Sequence, residues 1–142
     1  MKKLLLLAAI AGVALQADAQ KISSSKVPEA AKSAFMKAHP TVSHIVWETE
    51  NGNFEGNWKA GGFDHSAMYT PQGKFAGSET DINPDKLPAT ARQYVKTHLH
   101  TRIKEASLDV DARGNKTYEA DVKGKAYIFD TRGNFKKEGE GD

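Results

Sequence analysis

The sequence predicts an α+β fold, a tandem repeat of one helix packed on an antiparallel three- to four-stranded meander. Three observations carry this reading. Similar residues recur at a spacing of sixty. Within each copy the apolar period switches from helical to two. Glycine-bearing turns then follow at short intervals, which leaves no room for the long crossovers that parallel strands need.

The recurrence runs the length of the chain. Val27-Pro28 returns as Leu87-Pro88, Ala31-Lys32 as Ala91-Arg92, and Phe35 as Val95. Met68-Tyr69 returns as Ile128-Phe129, and Gly73-Lys74-Phe75 as Gly133-Asn134-Phe135. The middle of each copy drifts by a few residues, as insertions in hairpin loops would cause. The expected division is a leader at 1–19, a first repeat at 20–82 and a second at 83–142.

The leader has the parts of a signal peptide. Lys2 and Lys3 precede an uncharged apolar run from Leu4 to Leu15, and Ala17-Asp18-Ala19 puts small residues where a signal peptidase reads. Cleavage is expected between Ala19 and Gln20. The apolar run is short for a bilayer span, and no stop-transfer pattern follows it. The mature chain is therefore expected in the periplasm or outside the cell, without a membrane span. It has no cysteine, so it forms no disulfide and carries no lipid-modified cysteine. Buried apolar surface must hold it together.

Each copy opens with a helix. Val27, Ala30, Ala31, Ala34, Phe35 and Ala38 fall at three- and four-residue spacings, on one helical face. Leu87, Ala91, Tyr94, Val95 and Leu99 do nearly the same. Ser25 and Asp85 are the expected N-caps. Pro28 and Pro88 suit the first turn, where a missing N–H costs little, and Pro40 ends the first helix.

Strands follow. Phe54, Gly56, Trp58 and Ala60 alternate with Glu55, Asn57 and Lys59; Tyr118, Ala120 and Val122 alternate with Glu119, Asp121 and Lys123. Ile45 to Glu50, Phe63 to Thr70, Ile103 to Val110 and Ala126 to Asp130 read as further strands. Asn51-Gly52, Gly61-Gly62, Gln72-Gly73, Arg113-Gly114, Lys123-Gly124 and Arg132-Gly133 supply the turns. The polar segment Glu79 to Pro84 reads as a linker, and the charged tail Lys136 to Asp142 as a fraying end.

One set of residues points to a family. A Val-Pro or Leu-Pro helix opening, Trp47 in the first long strand, Asn51-Gly52-Asn53-Phe54-Glu55, and an aromatic followed by a Gly-Asn/Lys-Phe hairpin cover about residues 26 to 138. The pattern resembles the β-lactamase-inhibitor-like, PepSY-like proteins exported by Gram-negative bacteria. The resemblance implies a BLIP-like/PepSY-like helix on an antiparallel sheet. In the β-lactamase inhibitor itself a concave sheet grips an enzyme, and PepSY domains are associated with restraining proteases or binding small ligands. No residues of this chain match inhibitory positions, so inhibition is not carried over. The second copy departs from the pattern: Ser107 stands sixty residues after Trp47, and the stretch before Gly114 is more acidic.

Charge and motifs exclude several classes. Cleavage removes Lys2, Lys3 and Asp18 and lowers the net charge from +2 to +1. No basic stripe for nucleic acid remains. The histidines are His39, His44, His65, His98 and His100. His98 and His100, two apart on a helix, share no face, and no Cys/His ligand set or His-Glu-x-x-His is present. Asp109-Val110-Asp111-Ala112-Arg113-Gly114 opens like a calcium loop but puts Arg113 at the fifth position and Ala120 where the bidentate glutamate belongs. There is no Gly-x-Ser-x-Gly elbow, and His65 and Ser66 are adjacent, so a strand points them apart. No catalytic residue, metal or cofactor is expected.

Large aromatics remain. One helix covers one face of a sheet, so aromatics on the other face would form a binding patch. Trp47, Trp58, Tyr69 and Tyr127 are the expected partner-binding residues. Trp47 is the foremost of them, because a core position should be apolar in both copies and Ser107 is not. The expected function is non-enzymatic: an exported protein presenting a sheet surface to an envelope or extracellular protein or peptide. The alternative is a small-ligand or metal-sensing envelope protein.

Overall fold

The computed structural model describes residues 19–140. The expected leader, up to Asp18, lies outside them. In chain order the elements are β1 (Gln20–Ile22), α1 (Glu29–Ala38), β2 (Val46–Glu50), β3 (Asn53–Ala60), β4 (Phe63–Tyr69), β5 (Phe75–Ile82), α2 (Ala89–Tyr94), β6 (Glu105–Asp111), β7 (Lys116–Val122), β8 (Lys125–Phe129) and β9 (Phe135–Glu140). Strand order in the sheet is chain order, β1 to β9. The described residues thus form a nine-stranded antiparallel sheet with few helices. It divides into two compact units between Ser78 and Glu79, inside β5.

Each helix is preceded by a short 3-10 turn, Ser24–Lys26 or Pro84–Lys86. Ser23 and Asn83 cap these turns through their side-chain oxygens, which accept from the Ser25 and Asp85 amides at 3.3 and 3.0 Å. The expected caps, Ser25 and Asp85, are therefore donors inside the turns. The turn tucks Val27 and Leu87 into the core before the helix begins. Pro28 and Pro88 are the residues before the helices, and their carbonyls accept from Lys32 and Arg92 at 3.0 and 3.1 Å. Beyond Tyr94, α2 widens into a π-helical turn, Val95–Leu99, and His100 stops it in a left-handed conformation at φ 50.

Three strands lie where the sequence predicts none. β5 runs through the segment expected as a linker, and β9 through the tail expected to fray. Past their opening phenylalanines both are mostly polar or charged and show no apolar alternation, yet they pair. In β9, Phe135 stands opposite Phe129 and Glu138 opposite Tyr127, and Glu138 also bonds Lys125. β1 is three residues long and pairs Ile22 with Trp47.

The core of the first unit lies under α1. Val27, Ala31 and Phe35 meet Trp47, Ala67 and Tyr69, with Phe54, Trp58 and Phe75 at the margins. Phe35 is wholly buried, its ring 5.2 Å from Trp47, 5.3 Å from Trp58 and 6.2 Å from Tyr69. In the second unit Leu87, Ala91 and Val95 meet Ala106, Ala120, Val122, Tyr127 and Phe129. One glycine locks each helix start to a hairpin. A Cβ at Gly73 would stand 2.6 Å from the Ala30 carbonyl oxygen, and one at Gly133 2.7 Å from the Ala91 nitrogen. Both have positive φ, so no other residue fits without strain.

Candidate partner-binding face

Directly opposed residues of antiparallel strands point to one side. The register therefore sorts every side chain. In the first unit, Trp47↔Gly56↔Ala67 and Phe54↔Tyr69 face α1. Glu48↔Glu55↔Met68, Asn57↔Ser66 and Lys59↔Asp64 face away from it. In the second unit, Ala106↔Ala120↔Tyr127 and Tyr118↔Phe129 face α2. Glu105↔Asp121, Ser107↔Glu119 and Asp109↔Thr117 face away.

This register corrects the aromatic expectation. Trp47 is only 5% exposed and packs edge-on to Phe35. Tyr69 and Tyr127 are buried as well, at 4% and 7%. All three stand on the helix side, where a partner does not reach without unfolding the core. Trp58 is half-buried, also on the helix side, between His39 and His65. The error for Trp47 has a simple origin. The row Trp47↔Gly56↔Ala67 corresponds to Ala106↔Ala120↔Tyr127, so the residue matching Trp47 is Ala106, one short of the sixty-residue spacing. A shift of one residue along a strand turns a side chain to the other face. Ser107 faces away from the helix; Ala106, like Trp47, is buried and apolar.

The side away from the helices carries carboxylates at like-charged positions. Glu48 lies directly across from Glu55, and Glu105 directly across from Asp121. Lys21, on β1, flanks Glu48, and Lys59 pairs with Asp64 at 2.7 Å. On this side of β6 and β7 lie Glu105, Asp109, Glu119 and Asp121. Two of these acids hold protons more tightly than usual. Burial pushes Glu55, 2% exposed, up; the Ser66 hydroxyl and Asn57 amide pull it back, and Glu48 pushes it up again. Burial pushes Asp109 up to about 6, against the Ser107 hydroxyl that donates to it at 2.9 Å and with the repulsion of Asp81.

The other polar residues have structural work. Asp111 and Asp130 open the same five-residue sequence, Asp-x-Arg-Gly-Asn. Each accepts two backbone amides at 2.8 and 2.9 Å across its turn. Those bonds, with one from the asparagine side chain foremost, hold both carboxyls below their ordinary range. The calcium-like stretch at Asp109–Gly114 is thus a strand end and a capped turn. His98 is exposed in the π-helical turn that follows α2, stacked on Tyr94 at 4.3 Å with its Nδ1 3.1 Å from the Tyr94 carbonyl. Among the described residues no three His, Cys, Asp or Glu side chains converge as a metal site. No helix among them is long and apolar enough to cross a membrane.

Comparison with known proteins bears on the fold. No protein-family model matches the chain, and no curated protein matches it in sequence. Solved structures do match. A protein from Bacteroides eggerthii DSM 20697, described provisionally as periplasmic, superposes with a TM-score of 0.72 at 17% identity, over 80% of this chain and 88% of its own. A DUF2874 family protein from Bacteroides uniformis ATCC 8492 gives 0.70 at 14% identity, over 80% and 88%. A BLIP-like protein from Bacteroides fragilis NCTC 9343 gives 0.64 at 15% identity, over 80% and 86%. The likeness read from the sequence, to exported β-lactamase-inhibitor-like proteins, is met by these structures: the chain has a BLIP-like fold.

Proposed function

We propose that this chain is a non-enzymatic binding protein of the cell envelope, and that it offers the side of its sheet away from the helices to a protein or peptide partner. The observation that carries this reading is the solvent-reached cluster of carboxylates on β6 and β7, where Glu105 stands directly across from Asp121 beside Asp109 and Glu119. Like charges directly opposite on a sheet destabilise it. Acids gathered on one sheet face also present a negative surface, and complementary charge steers a partner to it. A cationic segment laid across β6 and β7 would relieve the repulsion. The partner is accordingly a peptide or protein surface rich in Lys or Arg, recognised by charge and not by the four aromatics first expected.

The two halves read as copies of one unit, expected at 20–82 and 83–142, each a helix on a meander. Support comes from the Val-Pro and Leu-Pro openings, the two glycines locked against the helix starts and the matching core rows. An exported location rests on the leader-like residues 1–19 and on the likeness to a Bacteroides protein described provisionally as periplasmic.

The test is binding of fluorescent peptides to residues 20–142. A lysine-rich peptide should bind, weakening as salt rises, while a glutamate-rich peptide of equal length should not. Glu119→Lys with Asp121→Lys should abolish binding while leaving the fold intact by circular dichroism. Equal binding of both peptides, or undiminished binding by the double variant, would refute the reading.

A further inference from the structure

The first unit contains a ladder of rings that the proposed binding face does not use. His39 follows the last residue of α1; its N–H donates to the Phe35 carbonyl at 2.8 Å and its carbonyl accepts from Val42 at 3.2 Å. Its imidazole lies 4.6 Å from the Trp58 indole, centroid to centroid, and 4.8 Å from the Phe35 ring. Trp58 stacks in turn on the imidazole of His65, 5.3 Å away and inclined by 13°. The His65 Nε2 lies 3.2 Å from the Ala60 carbonyl oxygen, at the β3–β4 turn. The ladder therefore ties the C-terminal end of α1 to β3 and β4 through one indole and two titratable rings.

We propose that His39 and His65, on either side of Trp58, form a pH-sensitive latch that holds the end of α1 on the sheet when neutral and loosens it on acidification. The surroundings support a neutral His39. Burial disfavours its charge first, and the nearby His65 disfavours it further, so its pKa lies below the ordinary imidazole value. Both contributions act in the same sense. From β2 the neighbour across Phe35 is Trp47, which is not titratable. Lys59 and Asp64, next to Trp58 and His65 in sequence, point to the other side of the sheet and pair with each other. Lys37 lies in the last turn of α1 and is exposed. The α1 dipole favours a cation at its C-terminus, and an indole face attracts one. Those two attractions allow the ladder one positive charge; a second meets the first across a single ring.

The sign follows from linkage. A histidine with a lowered folded pKa contributes stability above its unfolded pKa and loses it as the pH falls through the folded value. The second unit has no such ladder, for Leu99 stands sixty residues after His39 and Val122 and Lys125 take the places of Trp58 and His65.

The experiment is a proton NMR titration of residues 20–142 from about pH 8 to about pH 4.5, with thermal unfolding at each pH. The His39 ring protons should titrate below the ordinary imidazole value. Amide exchange over residues 35 to 42 should quicken at least tenfold on acidification, before exchange in β7 changes. His39→Leu, which copies the second unit, should flatten that local response, and His98→Gln should leave it intact. A His39 pKa at or above the ordinary imidazole value would overturn the proposal, as would an unchanged acid response in His39→Leu. If His39→Leu fails to fold, the wild-type titration alone decides.

Discussion

The two cores fill one space with the large side chain in different places. Under α1, Phe35 occupies the centre and Gly56 makes room beneath it; a Cβ there would stand 2.5 Å from the Phe35 ring. Under α2, Val95 replaces the phenylalanine, Ala120 replaces the glycine, and Tyr127 takes the position that Ala67 has in the first unit. Bulk removed from the helix returns on the sheet. Interiors are packed to near-crystalline density, so a change on one wall requires an opposite change on another. The exchange is partial, for Ala106 and Val122 stand where the first unit has Trp47 and Trp58.

The contrast can be broken most strongly at its centre. Phe35→Ala should cost about 3–5 kcal/mol, since the ring is enclosed by three aromatics and the site cannot collapse. Val95→Ala removes less and should cost about 2 kcal/mol. Denaturant unfolding of both variants checks the order. Equal losses would show that Phe35 does not centre the first core.

A second effect separates the units by charge. Asp109 in the second unit, raised to about 6, favours the folded state when protonated. Its contribution is complete below the unfolded aspartate pKa and disappears as the pH rises through about 6. Asp109→Asn should therefore gain stability over wild type at neutral pH relative to acid, by no more than about 3 kcal/mol. A difference that does not vary with pH would remove Asp109 from the account. His39 has the opposite sign, so the two variants should tilt the pH–stability profile in opposite directions.

The smallest effect sharpens the packing comparison. Gly56→Ala should lose about 1 kcal/mol, because crowding against Phe35 exceeds the gain from replacing a strand glycine. In a Phe35→Val background, which copies Val95, the same change should become neutral or stabilising. A loss that persists in the double variant would mean the strain lies in the backbone.

Much of this organisation was legible in the residues. The helices, six strands and their turns announce themselves by period, by proline and by glycine. β5 and β9 did not, because Glu79 to Asp81 and Lys136 to Glu138 are polar or charged throughout and make sense only beside a neighbouring strand. The burial of Trp47 was hidden by a slip of one residue in the spacing between the helix and the first long strand of the two units, and nothing local marks that slip. The facing carboxylates were hidden for a related reason. Glu105 and Asp121 are sixteen residues apart in sequence, and only the register brings them together.

The most direct test is amide NMR mapping of a lysine-rich peptide on residues 20–142. Shifts should concentrate at Glu105, Asp109, Glu119 and Asp121, with little change along α1 and α2. Shifts centred on the helices, or none at all, would contradict the claim that the carboxylate side of the sheet is where this protein meets its partner.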